Sequence, residues 1–157
     1  MKNKQNGVNV NRDKLVKGLN EDLSREYQAI IGYVNYSQVL KGAAYMNIAA
    51  ELEVHAGEEL DHAIKVAKMI DYLGAMPSVT PKPVKTSEKA EDMLRFDLDN
   101  ESETIRNYRL RVKQAEALNE FAIAETLRSI LVDEQDHLCS LAQALGIDPP
   151  NPGIAEE

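Results

Sequence analysis

The sequence predicts an all-α fold, a four-helix bundle in which one long crossover joins the second and third helices. Apolar residues recur in steps of three and four along four long segments, as on the buried face of a packed helix. Proline is scarce, with six in 157 residues, and falls in two clusters outside these segments. Two Glu-x-x-His motifs, Glu59 to His62 and Glu134 to His137, lie in the second and fourth segments.

The first two segments predict an antiparallel helical hairpin. The first helix should begin near Asn11 or Asp13, since either side chain can cap it, and end at Lys41-Gly42. Its inward face is Leu15, Leu19, Leu23, Glu26, Ile30, Tyr33, Ser37 and Leu40. The second helix should run from about residue 43 to 73, with Gly74 closing it. Its inward face is Ile48, Leu52, His55, Glu59, His62, Val66, Met69 and Leu73.

Residues 74–86 hold three prolines and cannot be helical throughout. So long a connection can run the length of a bundle, which makes the second and third helices parallel. Thr86-Ser87 should cap the third helix, and a break near Leu118-Asn119 should precede the fourth, which ends at Gly146. The expected organisation is a mobile tail over 1–10, the bundle over 11–146 and a proline-rich C-terminal tail over 147–157.

Composition and charge exclude several classes of function. The formal net charge of −8 argues against nucleic acid as a partner and suits the attraction of cations. The single cysteine, Cys139, excludes an internal disulfide framework and suits a reducing cytoplasm, which is the expected location. The first twelve residues have no apolar core, so no signal peptide is expected, and no apolar stretch is long enough to span a membrane.

A repeated set of acidic residues and histidines predicts a metal site. Glu26 lies 33 residues before Glu59, and Glu101 lies 33 residues before Glu134. Each predicted hairpin therefore offers one lone glutamate on its first helix and one Glu-x-x-His motif on its second. Residues three apart on a helix share a face, so each motif can hold a metal. The full set matches the ligands of di-iron four-helix bundles: Glu26, Glu59, His62, Glu101, Glu134 and His137.

The carboxylates in these apolar faces need compensation, because an ionised carboxylate is costly to bury alone. Tyr33 and Tyr108 each follow a lone glutamate by seven residues and should hydrogen-bond to a ligand carboxylate. The alternative is that these glutamates are solvated and that the inward face of each helix is assigned one position out of register. That error would have to recur in all four helices.

Three further positions receive weaker predictions. His55, one turn before Glu59, is expected to be an ordinary, partly exposed histidine, with a role in cation access or ligand support as the alternative. Glu58 is expected on a solvated face. Asp133 is expected there too, with the orientation of a ligand histidine as the alternative.

On these motifs the sequence resembles the bacterioferritin branch of the ferritin-like superfamily. The resemblance covers about residues 12–146 and includes Tyr33 and the segment from Met93 to Leu98. It implies that Glu26 and His62 hold one iron, that Glu101 and His137 hold the other, and that Glu59 and Glu134 bridge them. The implied activity is that of a ferroxidase, an Fe(II):oxygen oxidoreductase that uses O2 or hydrogen peroxide. The oxidised iron is then stored, which detoxifies it.

The sequence departs from this family in two places. Bacterioferritins bind haem through a methionine directly after the second-helix bridging glutamate, where this chain has Leu60, so haem is not expected. Their short fifth helix, which lines a channel of a 24-subunit cage, has no counterpart in residues 147–157. A closed homo-oligomeric cage of 12 or 24 subunits is favoured, with a dimer as the main alternative.

Other functions within reach of the same ligands stay open. One is a di-metal redox enzyme that stores nothing, such as a rubrerythrin-like peroxidase or a manganese-catalase-like enzyme. Another is a DNA-protecting mini-ferritin, although that family usually builds its iron site between subunits. Manganese or zinc could occupy the site in place of two iron ions.

Overall fold

The computed structural model describes residues 7–157 and confirms the all-α four-helix bundle. Its helices are α1 (Arg12–Val39), α2 (Met46–Tyr72), α3 (Ala90–Ala117) and α4 (Phe121–Leu145), and a 3-10 turn (Ala43–Tyr45) precedes α2. Helix α1 packs against α2 and α3, and α4 packs against α3 and α2. Within the described residues, no helix is both long and apolar enough to cross a membrane.

The ends of the helices follow from local chemistry. The side chain of Asn11 caps α1 by accepting a hydrogen bond from the Lys14 backbone N–H at 2.8 Å. Asn119, with φ of 61°, makes the break before α4, and Gly146, in the left-handed conformation, ends it. The prediction that Thr86-Ser87 caps α3 is wrong, because Ser87 instead accepts from Lys89 N–H in the turn before the helix.

The crossover from α2 to α3 lies along α1. The Asn20 side chain bonds to the backbone of Met76 and Ser78, and the Lys82 N–H donates to the Ser24 carbonyl. Farther along α1, Gln28 donates to Pro83 and Tyr36 donates to Lys85, in each case to the backbone carbonyl. Since these contacts advance together along α1 and the crossover, α3 begins at the end of the bundle where α2 begins.

The segments that flank the bundle pack against it. Residues 1–6 of the N-terminal segment predicted to be mobile lie outside the described residues, whereas Val8 and Val10 are buried in the core. In the C-terminal segment, the Ala155 N–H donates to the Arg106 carbonyl and Arg109 donates to the Gly153 carbonyl at 2.8 Å. The proline-rich tail is thus held against α3.

The apolar core forms two clusters. One contains Leu19, Val66 and Leu127 and fills one end of the bundle. The other contains Leu52, Leu94 and Leu141 and fills the opposite end. Along every helix, the predicted glutamate or histidine ligands lie between the residues of these two clusters. The polar side chains are therefore held at mid-bundle by apolar packing above and below.

A second buried polar group links α1 to α3. Arg111 donates to both carboxylate oxygens of Asp22, at 2.7 and 3.2 Å, and to Gln114 at 2.5 Å. Arg25 donates to the same carboxylate at 3.0 Å. The guanidinium of Arg111 lies over Gly18, where an added Cβ would come within 2.1 Å of Arg111 Nη1. Gly18 is therefore needed for the close approach of this ion pair.

We expect Gly18→Ala to destabilise the fold by about 1–3 kcal/mol, because the methyl group displaces Arg111 from Asp22. Gly57→Ala is the matched control, since Gly57 is also helical and has no heavy atom within 4 Å of an added Cβ. It should stabilise by about 0.5–1 kcal/mol. Thermal unfolding of the two variants measures the difference, and equal shifts would contradict the packing argument.

Candidate metal centre

All six predicted ligands come together at the centre of the bundle. Helices α1 and α3 each contribute one glutamate, and α2 and α4 each contribute a glutamate and a histidine one turn apart. Every one of the six is buried, with no more than 3% of its surface exposed. The site is therefore closed off from bulk water by the two apolar clusters.

The six side chains form two overlapping groups, each able to hold one metal ion. The first group is Glu26, Glu59, His62 and Glu134, and the second is Glu59, Glu101, Glu134 and His137. Within each group the ligand atoms lie within 4.8 Å of one another. Glu59 and Glu134 belong to both groups, which is the arrangement expected of two bridging carboxylates.

Both imidazoles direct Nδ1 at the carboxylates. Nδ1 of His62 lies 2.9 Å from both Glu59 and Glu134 and 3.8 Å from Glu26. Nδ1 of His137 lies 2.9 Å from Glu59, 3.5 Å from Glu134 and 3.7 Å from Glu101. The lone glutamate is in each case the most distant of the three.

Several of these buried atoms make no well-aligned hydrogen bond among the described residues, although some lie 2.9 Å from another atom of the site. They are one oxygen each of Glu26, Glu59 and Glu101, both oxygens of Glu134, and Nδ1 of His137. Buried polar atoms are nearly always satisfied, and charged ones cost several kcal/mol when they are not. The unpartnered atoms all face the two groups, so a divalent cation in each would satisfy them.

Two tyrosine hydroxyls join the hairpins by hydrogen bonds to the lone glutamates. Tyr33 on α1 donates to Glu101 on α3, and Tyr108 on α3 donates to Glu26 on α1. Burial, followed by the charge of the adjacent glutamate, raises the pKa of both tyrosines well above the usual value. Both hydroxyls therefore keep their protons and hold one oxygen of each lone glutamate in place.

The outer nitrogen of each imidazole meets a carboxylate that the sequence analysis assigned to the solvated face. Nε2 of His62 lies 2.9 Å from Asp133 on α4, and Nε2 of His137 lies 2.6 Å from Glu58 on α2. Both side chains do face solvent as expected, with 42% of Asp133 and 41% of Glu58 exposed. Each also contacts a histidine, which is the alternative given for Asp133 and was not predicted for Glu58. One sequence signal was available: each acid directly precedes the glutamate of a Glu-x-x-His motif, in Glu58-Glu59 and Asp133-Glu134.

His55 is buried, so its expected partial exposure was wrong. Only 2% of its surface is exposed, and its ring stacks on that of His137 with centroids 4.0 Å apart. The rings of His55 and Tyr33 meet edge to face, with their centroids 5.3 Å apart. Burial, and then the neighbouring His137, lowers the pKa of His55 to about 4. The ring is therefore uncharged at neutral pH.

Several of the candidate ligands shift one another's pKa values. Burial, and next the charge of Glu134, raises the pKa of Glu59 well above its usual value and that of Glu101 to about 7. Burial acts to lower the pKa of His62 and of His137, but close contact with the surrounding carboxylates outweighs it and raises the pKa of both. A cation that binds here must displace the protons that these groups hold.

The donor set fits hard or borderline divalent metals. Each group combines one imidazole with three carboxylates, and the free Cys139 is exposed on the surface rather than in the site. Oxygen and imidazole donors suit iron, manganese and zinc. The residues present therefore fit a two-metal centre, with bridging carboxylates at its middle.

Comparisons with known proteins agree with this geometry. Residues 16–148 match the family model of the ferritin-like domain. The bacterioferritin of Desulfovibrio desulfuricans is 29% identical over 126 residues, which are 80% of this chain and 70% of that protein.

Solved structures extend the likeness to the backbone. A ferritin-like, diiron-carboxylate protein of Bacillus anthracis superposes with a TM-score of 0.82 at 34% identity, over 85% of this chain and 96% of that one. A dodecameric thioferritin of Bacteroides fragilis superposes with a TM-score of 0.80 over 87% of each chain, and at 24% identity this likeness concerns the fold alone. With the family model matched along most of its length, the chain is a bacterioferritin-like member of the ferritin-like superfamily.

Proposed function

We propose that the chain is a ferroxidase that oxidises Fe(II) at a di-iron site within one subunit and stores the product. The observation that carries this proposal is the pair of overlapping ligand groups that share Glu59 and Glu134. Two iron ions bound there would supply the chemistry, the oxidation of Fe(II) to Fe(III) with O2 or peroxide as the electron acceptor. Membership of the ferritin-like family supports the same activity.

The protein's contribution is to place and neutralise the ligands. In this proposal Glu26 and His62 hold one iron, Glu101 and His137 hold the other, and Glu59 and Glu134 bridge the two. Tyr33 and Tyr108 each hold one oxygen of a lone glutamate through a hydroxyl proton, which leaves the second oxygen free for metal. Since the apolar clusters keep bulk water out, every charge in the site acts in a low-dielectric medium.

Asp133 and Glu58 complete the support of the histidines. With Nδ1 of each imidazole directed at the metal position, the outer Nε2–H donates to a carboxylate on the opposite helix. Such a carboxylate fixes the ring's tautomer and orientation and increases its basicity as a ligand. Haem is not part of the proposal, because Leu60 carries no thioether where the family's route requires one.

Storage further requires a closed assembly, and we propose a homo-oligomeric cage. Large apolar side chains are exposed on α1 at Ile31 and Val34, and on α2 at Leu60 and Ile64. In each helix the two residues are three or four apart and so lie on one side of it. Exposed apolar residues in such groups are typical of protein contacts. The cytoplasmic location stays a prediction from the sequence.

We expect anaerobically added Fe(II) to bind at two ions per chain and to be oxidised rapidly when O2 is admitted. The double substitution Glu59→Ala and Glu134→Ala removes both bridges and should reduce oxidation to the rate of Fe(II) in buffer. The control, Glu53→Ala with Asp136→Ala, removes two exposed acids from the same helices and should oxidise at the parent rate. Parent-rate oxidation without the bridges would place the activity elsewhere.

We expect metal to stabilise the fold by an increment that grows with pH between about 5 and 8. The folded-state pKa values of His62 and His137 are raised, so their stabilising effect is complete below the unfolded pKa and lost as pH rises through the folded one. Glu101, with a pKa of about 7, also loses its protonated form as pH rises. The metal-bound protein needs all three groups deprotonated. The difference in unfolding free energy between the metal-bound and the metal-free protein therefore grows as pH rises.

Thermal unfolding with and without Mn(II) at several pH values measures this increment. It should vanish in the His62→Ala, His137→Ala protein, which keeps the surface acids. An increment that is the same at every pH, or that survives in this variant, would indicate binding at the surface.

We expect Asp133→Asn and Glu58→Gln to weaken metal binding by about tenfold or more each, because the outer nitrogen of a ligand imidazole loses a charged acceptor. The matched control is Asp136→Asn, an exposed change on α4. Calorimetric titration with Zn(II) compares them. An affinity equal to the control's would show that the two acids act only as surface charges.

We expect light scattering to give the mass of a closed shell of about 12 or 24 chains of 17.5 kDa, before and after iron loading. Many iron atoms retained per chain would accompany that mass. Two chains per particle at high concentration, with no more than two iron ions retained per chain, would leave a redox enzyme that stores nothing.

A further inference from the structure

The two halves of the bundle obey an internal repeat, and its exceptions are informative. A shift of 75 residues carries Glu26 to Glu101, Tyr33 to Tyr108 and each ligand of α2 to its counterpart on α4. The contacts repeat as well, since each tyrosine bonds to the lone glutamate of the other half and each outer imidazole nitrogen meets an acid of the opposite helix. Residues that break the repeat beside the site therefore distinguish its two metal positions.

His55 is the nearest exception. The same shift places Ile130 at its counterpart, four residues before Glu134. Ile130 is fully buried in the apolar cluster that also contains Tyr108. His55 instead lays its ring on His137, at 4.0 Å between centroids with 28° between the planes, and its Nε2 lies 3.5 Å from Glu51. One ligand imidazole thus has an aromatic ring stacked on it, and the corresponding residue for the other is aliphatic.

Stacking affects His137 in two ways. The ring of His55 covers one face of His137, and the ring of Tyr33 packs edge-on with its centroid 6.0 Å from that of His137. These contacts restrict rotation of the His137 ring. A ligand that is already oriented loses less entropy when it binds metal. A metal-bound imidazole is also electron-poor, and an aromatic face attracts a neighbour that carries positive charge. Both effects favour metal at the position that contains His137.

Charge provides the second exception. Asp22 is one turn before Glu26 and binds two guanidinium groups, those of Arg25 and Arg111. Its counterpart under the shift is Asp97, one turn before Glu101, where Oδ2 has no hydrogen-bond partner among the described residues. Tyr36 stands where the repeat would place Arg111, and its hydroxyl donates to the Lys85 carbonyl instead.

The two guanidinium groups beside Glu26 are balanced by two carboxylates, because Arg25 also lies 3.8 Å from Glu103. The carboxyl of Asp97 has no such partner in the described part of the chain, and a carboxylate that no arginine neutralises attracts a divalent cation more strongly. No arginine occupies the equivalent place beside Glu101. The asymmetry in charge therefore acts in the same direction as the asymmetry in stacking.

We propose that the two metal positions are inequivalent: the one formed by Glu101 and His137 binds a divalent cation more tightly and fills first, with His55 as the positioning residue for His137. This inference rests on the proposed two-metal site. It adds an order of loading, and a residue responsible for it, to a ligand set that is otherwise symmetric.

The order can be tested by isolating each position and titrating the full-length protein with Co(II) alone. Glu26→Ala disables the His62 position and leaves the His137 position, and Glu101→Ala does the reverse. Visible d–d absorption of bound Co(II) reports affinity without any turnover. We expect Glu26→Ala to bind Co(II) about tenfold more tightly than Glu101→Ala. Both variants keep His55. Equal affinities, or the opposite order, would overturn the proposal.

The role of His55 is tested in the same two backgrounds. His55→Leu should weaken Co(II) binding about tenfold in Glu26→Ala, and by less than about threefold in Glu101→Ala, whose remaining position lies on the far side. His55→Phe keeps a flat ring and should restore most of the affinity. Equal weakening in both backgrounds would indicate a general loss of packing, and a Phe variant as weak as Leu would exclude stacking as the cause.

Failure of this inference can be told apart from failure of the proposed function. If the parent chain binds two Co(II) ions but the two backgrounds behave alike, the site stands and the inequivalence is wrong. If the parent binds fewer than two Co(II) ions, the two-metal site itself is wrong, and the inference falls with it.

Discussion

The burial of four carboxylates and two imidazoles at one level of the bundle is the constraint on which the rest of the structure depends. Apolar packing alone would not hold these groups together, because each unpaired charge in a low-dielectric interior is expensive. Partner groups compensate for this cost: tyrosine hydroxyls bind the lone glutamates, and outer carboxylates bind the histidines. What remains unsatisfied is the set of oxygens that face the two metal positions. The stability of the bundle and its capacity for cations thus have one origin.

The hydrogen bonds that hold the lone glutamates and the outer imidazole nitrogens cross from one hairpin to the other. Tyr33 and Tyr108 exchange hydrogen bonds between α1 and α3, and Asp133 and Glu58 do so between α4 and α2. Neither hairpin can satisfy its own glutamate. Each hairpin supplies the other with one tyrosine hydroxyl and one outer carboxylate, which is consistent with the duplicated pattern in the sequence.

The sequence was sufficient for the four helices, the crossover and the convergence of the six candidate ligands because these depend on periodicity and on repeated spacing. It was not sufficient for the burial of His55 or for the contacts that Glu58 and Asp133 make with the histidines. These residues lie at the edges of helix faces, where a small rotation of a helix about its axis decides between solvent and contact with a neighbour. The packing of α2 against α1 and of α4 against α3 contributes most to that rotation, and the α2–α4 contact adds less. The pairing of Arg111 with Asp22 was out of reach for another reason, because it depends on two helices far apart in sequence and on a glycine that lets them approach.

The path of the crossover has a consequence for how the protein folds. Because the long-range hydrogen bonds of the crossover go to α1, the α1–α2 and α3–α4 hairpins can form from local contacts before they meet. Their docking is the step that brings the carboxylates together, so it carries most of the electrostatic cost of folding. An ion bound between the hairpins would offset this cost, because it would neutralise the carboxylates that docking brings together.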